Sequence, residues 1–287
     1  MSYTKINGIN IHYEVRGSGP PLLMMAPGGF DSTIEKWRNA GVWPGVRPLE
    51  TFTERYTCIA YDRREAGLSG GKVERVSWAS YAHEAMGLLN HLGIERAFIM
   101  GGCMGCSTAA AFAVTYPEAA MGLVLHYPVG GVRWRLNGLG RFQAHVNYAK
   151  ELGLASVVEL AKEKKTFWTD PRAGPWASTI VADGDFAMAF ANQDVDRYLA
   201  IATTMGRTLF DRDTAPGAEP EELMALKTPA VIIPGADEAH ATSAARYLQE
   251  CLTNSVYHDV HASQQKPDMV RQWILEFLGA HAKAPVG

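Results

Sequence analysis

The stretch that decides the fold is Arg96-Ala-Phe-Ile-Met100, then Gly101-Gly102-Cys103-Met104-Gly105-Cys106, then Ser107-Thr-Ala-Ala-Ala-Phe-Ala-Val-Thr-Tyr116, stopped by Pro117. The first part is short and apolar, as a buried strand is. The last part is Ala-rich and ends at a proline, as a helix does. Between them a cysteine stands at the tip of a sharp turn. Glycines lie two residues before it and two after it. A crowded strand-to-helix turn requires small neighbours so that the two backbones can approach. The pattern is Gly-x-Cys-x-Gly, a nucleophile elbow with a thiol where a hydroxyl is more usual.

Working outward, the same alternation of apolar runs and helical patterns fills most of the chain. Residues 2–16 alternate with period two around Asn7-Gly8, which reads as a strand pair. Leu22 to Ala26 is a continuous apolar run, as a strand covered on both faces should be. It ends in the turn Pro27-Gly28-Gly29-Phe30. Asp31 to Arg38 reads as a helical stretch. Tyr56 to Tyr61 is a further strand, followed by Asp62-Arg63-Arg64, whose charges are expected to pair internally and shape that loop. Trp78 to Leu92 has helical spacing, and Met121 to Tyr127 is again a strand.

Over residues 131–225 the strand runs stop and helical stretches take over (139–167, 178–192 and 194–210). The breakers there are Asp170-Pro171, Gly174-Pro175 and Ala215-Pro216-Gly217. Strands resume at Pro229 to Gly235 and at Val256 to Val260, and helices at 242–252 and 267–281. The expected architecture is α/β: a mostly parallel sheet with helices on both faces. Its core is residues 1–130 and 226–287, and 131–225 form a helical cap. Ligands of such sheets sit at the strands' carboxyl ends. Gly28, Gly29, Cys103, Asp237, Glu238 and His261 all fall there.

Bulk properties narrow the function. The chain has 287 residues, 47% hydrophobic and 20% charged, with a net charge of −3. That balance gives no electrostatic case for nucleic acid or an anionic membrane as partner. No apolar run approaches the roughly 18 residues of a membrane span. The N-terminal residues lack the apolar core of a signal peptide. Four cysteines, Cys58, Cys103, Cys106 and Cys251, are too few and too scattered for a disulfide framework. The expected compartment is a reducing cytoplasm. The expected partner is a small-molecule substrate, with a homo-oligomer left open.

The order of these parts resembles the α/β-hydrolase superfamily over nearly the whole chain. There is an N-terminal strand pair, a glycine turn after the third strand, an Asp-Arg loop after the fourth, the elbow after the fifth, a helical cap, then an acid and a histidine. The cysteine at the elbow is similar to dienelactone hydrolases. The long insertion resembles the esterase and C–C hydrolase branches more. Pro27-Gly28 stands where many members have His-Gly, Glu65 where the Arg-rich loop usually continues with Gly, and Val260 where a Gly usually precedes the histidine.

The resemblance implies a triad. Cys103 would be the nucleophile, activated at a helix N-terminus, where a thiol pKa can fall from about 8.5 to roughly 3.5–7.5. The acid follows Gly235: Asp237 is preferred and Glu238 is the alternative. For the base the triad's order favours His261, with His240 as rival because it lies three residues after Asp237. The oxyanion amides would be Met104 and either Gly29 or Phe30. His126, Tyr127 and Trp134 are candidates for lining the substrate pocket. No cofactor or metal is implied. Cys103-Met-Gly-Cys106 is also a C-x-x-C, but no second pair completes a metal site, and a redox role leaves the glycines, the cap and the later acid and histidine unexplained. The expected activity is hydrolysis of a small to medium carboxylic ester, lactone or thioester through an acyl-enzyme. C–C bond hydrolysis of a β-diketone type and acyl transfer are alternatives on the same fold. A ligand receptor without catalysis is the non-enzyme reading.

Overall fold

The computed structural model describes residues 2–282. Eight strands form one sheet: β1 (Ser2–Ile6), β2 (Ile9–Arg16), β3 (Pro21–Met25), β4 (Thr57–Tyr61), β5 (Ala97–Gly102), β6 (Ala120–His126), β7 (Ala230–Ile233) and β8 (Ser255–Tyr257). Their order across the sheet is β1-β2-β4-β3-β5-β6-β7-β8. β1 and β2 pair antiparallel through the two-residue turn Asn7-Gly8, both at positive φ (51° and 83°). That is the turn an Asn-Gly pair is suited to. β2 meets β4 antiparallel, and every later pair is parallel.

Helices longer than four residues are α1 (Trp78–His91), α2 (Met104–Thr115), α3 (Val132–Lys162), α4 (Ala177–Ala182), α5 (Gly184–Ala191), α6 (Val195–Leu209), α7 (Pro220–Ala225), α8 (Thr242–Cys251) and α9 (Pro267–His281). α1 starts on a reciprocal Ser77/Ser80 cap, each hydroxyl accepting the other's amide at 3.2 Å. α2 is buried nearly all round, because its small residues let it lie close against the sheet. α9 covers the other face with Val270, Ile274, Phe277 and Leu278. Burying each such side chain stabilises by about 1.5–3 kcal/mol.

Between β6 and β7 the chain makes only helices and turns, from Val132 to Ala225. The first helix starts at Val132, earlier than the sequence pattern suggested, and bends at Gly153 (φ 79°, ψ 168°). The stretch expected as one helix over 178–192 is two, because Asp183 leaves the helical region and caps α5 through Phe186 N–H. The expected helix over 31–38 is a 3-10 turn at Gly29–Asp31 and a helical turn at Lys36–Asn39.

The topology places the site. After β3 the chain lays β4 on one side, then returns to lay β5 on the other side of β3. Strand order reverses there, so the loops leaving β3 and β5 diverge and open a crevice. Met25 is in register with Gly101. The glycine turn and the cysteine therefore emerge side by side.

Candidate active site

Cys103 occupies the tip between β5 and α2 at φ 55°, ψ −125°. Holding a non-glycine residue at positive φ costs about 1–3 kcal/mol and persists only where the surroundings enforce it. They do so here by contact. A Cβ at Gly101 would lie 2.5 Å from the Gly105 carbonyl carbon, and one at Gly105 would overlap the Met25 carbonyl. The glycine bracket is thus steric: β3, β5 and α2 meet with no room for a side chain. The Cys103 amide donates to the His126 carbonyl at 3.1 Å, which fixes the tip against β6.

The thiol faces three groups: the His240 imidazole and the backbone amides of Gly28 and Met104. Burial pushes its pKa up, but the hydrogen bond and charge of His240, with those two amides, bring it below the ordinary thiol value. His240 Nδ1 donates to both Asp237 oxygens at 2.8 Å. Its Nε2 is buried, has no hydrogen-bond partner of its own, and is the ring nitrogen left to turn to the thiol. Burial alone would lower the imidazole's pKa. The hydrogen bond and charge of Cys103, then those of Asp237, lift it to about 9. Asp237 is drawn below its usual value: burial opposes this, but His240 and the amides of Ala239 and His240 outweigh it. Each of the three groups is shifted toward its charged form: thiolate, imidazolium and carboxylate.

Backbone geometry brings His240 there. Gly130 and His240 form a parallel bridge, and the Gly130 amide donates to the Ala239 carbonyl at 3.1 Å. A Cβ at Gly235 would collide with His240 Cβ, so that glycine lets the loop fold tightly back. Asp237 also accepts the amides of Ala239 and His240 at 2.9 and 3.0 Å, which fixes the local turn.

The structure corrects several expectations from the sequence. The preferred base, His261, is exposed, and its Nδ1 pairs with Ser263 Oγ at 2.8 Å; the imidazole beside the thiol is that of His240. The shortness of β8 accounts for this, because the chain leaves the sheet at Tyr257 and His261 only caps an exposed turn. Glu238, the alternative acid, points outward to Arg133 at 2.6 Å, with both side chains about 70% exposed. The second amide at the sulfur is that of Gly28, at φ 99°, rather than Gly29 or Phe30. The Gly29 carbonyl instead takes a hydrogen bond from Arg63, and Phe30 is buried among Phe142, Phe167 and Trp168.

His126 does not line the crevice. It packs on the far face, stacked on Tyr127 (4.2 Å, 3°) and against Trp43 (4.6 Å), and burial lowers its pKa to about 3. Tyr127 lies between His126 and His240, 5.8 Å from the latter, and supports the imidazole from behind. Trp134 begins an aromatic run that passes through Phe210, Phe142 and Phe167 to Phe30 and Trp168 above the glycine turn. Cys106 Sγ donates to the carbonyls of Gly101 (3.2 Å) and His126 (3.3 Å), and burial pushes its pKa well up. It ties the ends of β5 and β6 together, which gives it a packing role. Arg64 pairs with Glu65, Glu74 and Glu84, and Asp62 accepts the amides of Ile34 and Leu68, so this loop is internally paired as its sequence implied.

Comparison with known proteins agrees with this fold. A family model described as alpha/beta hydrolase fold matches residues 21–137. An uncharacterized hydrolase of Bacillus subtilis is 27% identical over 127 residues, covering 44% of this chain and 43% of that protein. The 2-hydroxy-6-oxo-6-phenylhexa-2,4-dienoate hydrolase of Comamonas testosteroni is 32% identical over 133 residues, 45% of this chain and 44% of that one. These matches span under half the length of the curated relatives. The enol-lactonase of Burkholderia xenovorans superposes with a TM-score of 0.62 at 18% identity, over 97% of this chain and 100% of that one. With its eight-stranded sheet, its strand-order reversal and a nucleophile-type elbow at the crevice, the chain has the α/β-hydrolase fold.

Proposed function

We propose that this protein is a cofactor-independent hydrolase of small to medium carboxylic esters, lactones or thioesters with an apolar body, acting through Cys103, His240 and Asp237. The observation that carries the reading is the Asp237-held His240 imidazole, whose buried, unpartnered Nε2 is left for the thiol at the elbow, with the charge of each favouring the other.

The Cys103 thiolate attacks the acyl carbon, and the carbonyl π electrons move onto oxygen. The Gly28 and Met104 amides are placed to stabilise that oxyanion, a kind of contact whose loss typically costs about 10²–10³ in rate. His240 Nε2–H protonates the leaving oxygen or sulfur as the carbon–leaving-group bond breaks, which leaves a thioester on Cys103. Neutral His240 then takes a proton from water as the hydroxide oxygen adds to the thioester carbon. Collapse expels the thiolate and releases the acid. Asp237 holds the ring by Nδ1 so that Nε2 faces the sulfur. The helices from Val132 onward act as a lid whose aromatic side chains receive the apolar body.

Incubation with 4-nitrophenyl esters followed by intact-protein mass spectrometry should trap an acyl group on Cys103, and Cys103→Ala should remove turnover. An adduct on serine, or full activity of Cys103→Ala, would sink the reading. The Comamonas relative supports a second reading, hydrolytic C–C cleavage of a vinylogous diketone. Product analysis separates the two: acid plus alcohol in one case, two carbonyl products in the other.

A further inference from the structure

The lid contributes one polar atom to the crevice that the proposed chemistry leaves unused. Trp168 lies in the turn between α3 and α4. Its indole stacks on Phe30 (6.3 Å, 27°). A Cβ at Gly29 would collide with the Trp168 ring, coming within 3.0 Å of Cε2, the atom bonded to Nε1, and 2.9 Å from Met104 Sδ. The indole edge therefore sits over the glycine turn, next to the two residues whose neighbours or amides face the sulfur. Nε1 is buried and has no hydrogen-bond partner.

The indole's position is fixed. Arg141 Nη1 donates to the carbonyls of Phe167 and Trp168 at 3.0 and 2.9 Å, and its guanidinium carbon lies 5.3 Å from the indole centre. The turn itself is closed by Thr166 and Thr169. Trp37 and Trp78 also have unpartnered indole nitrogens, but both rings are wholly interior. Trp168 is partly exposed, and its ring edge lies against Gly29 in the glycine turn. A buried N–H without an acceptor carries its desolvation cost uncompensated. At a crevice wall that cost is recovered when a ligand supplies the acceptor.

We propose that Trp168 Nε1–H reads an acceptor oxygen in the acyl half of the substrate, a keto or carboxylate oxygen a few atoms from the scissile carbonyl, so that the preferred substrates are oxo- or carboxy-substituted acyl compounds rather than plain alkyl ones. This rests on the proposed hydrolysis at Cys103. The sulfur, the two amides and the indole edge then share one bound acyl group: the carbonyl at the amides, the second oxygen at Trp168.

The test compares 4-nitrophenyl pentanoate, 4-nitrophenyl levulinate and mono-4-nitrophenyl succinate on the native protein and on Trp168→Phe, which keeps an aromatic ring on Phe30 and removes the donor. The native protein should favour the levulinate or succinate ester over the pentanoate by about tenfold in kcat/KM, the scale of one hydrogen bond. Trp168→Phe should bring that ratio close to one. Which of the two oxygen-bearing esters gains more identifies a keto or a carboxylate oxygen as the acceptor. No preference in the native protein, or an equal loss on all three esters in Trp168→Phe, would overturn the proposal. Calorimetric binding of levulinate and pentanoate to Cys103→Ala, with and without Trp168→Phe, reads the same preference without turnover. If no ester acylates Cys103 yet the binding preference appears and disappears with the indole, the hydrolytic reading fails and the donor assignment stands.

Discussion

The loops that leave β7 and β8 each carry a histidine, and they differ in what surrounds it. After β7, Gly235 lets the chain turn back on itself, Gly130 bridges to His240, and Asp237 takes both the local amides and the ring. The imidazole is mostly enclosed, with 17% of its side chain exposed, and is forced toward the sulfur. After β8 the strand is three residues long, and His261 caps an exposed 3-10 turn with only Ser263 for a partner. The contrast teaches that position in the order of strands does not make a base. A base needs a backbone that closes over it and a carboxylate that fixes its tautomer. In this chain both surround the histidine one strand early, in a local Asp-x-x-His turn, which is why His240 is the base in the proposed mechanism.

The comparison can be broken most directly by removing each ring. His240→Ala should lower kcat/KM for ester hydrolysis by about 10³, within the usual range for loss of a positioned acid-base group. His261→Ala should stay within about twofold, as surface substitutions do. A large loss in His261→Ala with an active His240→Ala would reverse the assignment. The backbone half is sharpened by Gly235→Ala. Its new methyl would fall on His240 Cβ and lie 3.3 Å from Tyr127 Cδ2. Displacing the ring by an ångström should cost about 10² in kcat, with circular dichroism unchanged because the turn is peripheral to the core. The carboxylate half is tested by Asp237→Asn, which should cost roughly tenfold, the scale of a hydrogen bond to a charged group. Glu238→Gln breaks only an exposed pair with Arg133 and should leave kinetics unchanged.

The sequence made some of this legible and hid the rest, for identifiable reasons. The elbow was readable because its requirement is steric and local: Gly101 and Gly105 are needed by contacts within a few residues and one neighbouring strand. The strands β3 to β6 were readable because burial on both faces leaves continuous apolar runs. The three members of the proposed triad differ. Cys103 and Asp237 follow strands whose apolar runs are plain. The choice between His240 and His261 depended on the length of β8 and on the Gly130 bridge, a pairing between residues more than a hundred positions apart that leaves no local pattern. The Gly28 amide was missed because three consecutive turn residues offer amides, and only the φ values say which faces inward. His126 was read toward the pocket because it ends a strand. Alternation along β6 from Val124 sends it to the opposite face, and that count was available in the sequence.

The smallest expected effect is a shift in pH dependence, and its sign follows from the same contacts. Cys103 loses its proton below the ordinary thiol value, and His240 keeps its proton up to about 9. Hydrolysis needs both the thiolate and, for the leaving group, the imidazolium. Its kcat/KM should therefore rise through the lowered thiol value and fall again as the pH passes about 9. Alkylation of Cys103 by iodoacetamide needs the thiolate alone, so its rate should rise once and stay high where hydrolysis declines. In Asp237→Asn the carboxylate no longer raises the imidazole, and the falling limb of hydrolysis should move to lower pH. It should move only part of the way, because the Cys103 thiolate contributes more to that elevation than Asp237 does. Removing His261 should leave both limbs in place, since its ring contacts neither the sulfur nor the carboxylate. A falling limb that follows His261 rather than Asp237 would put the base back in the loop after β8.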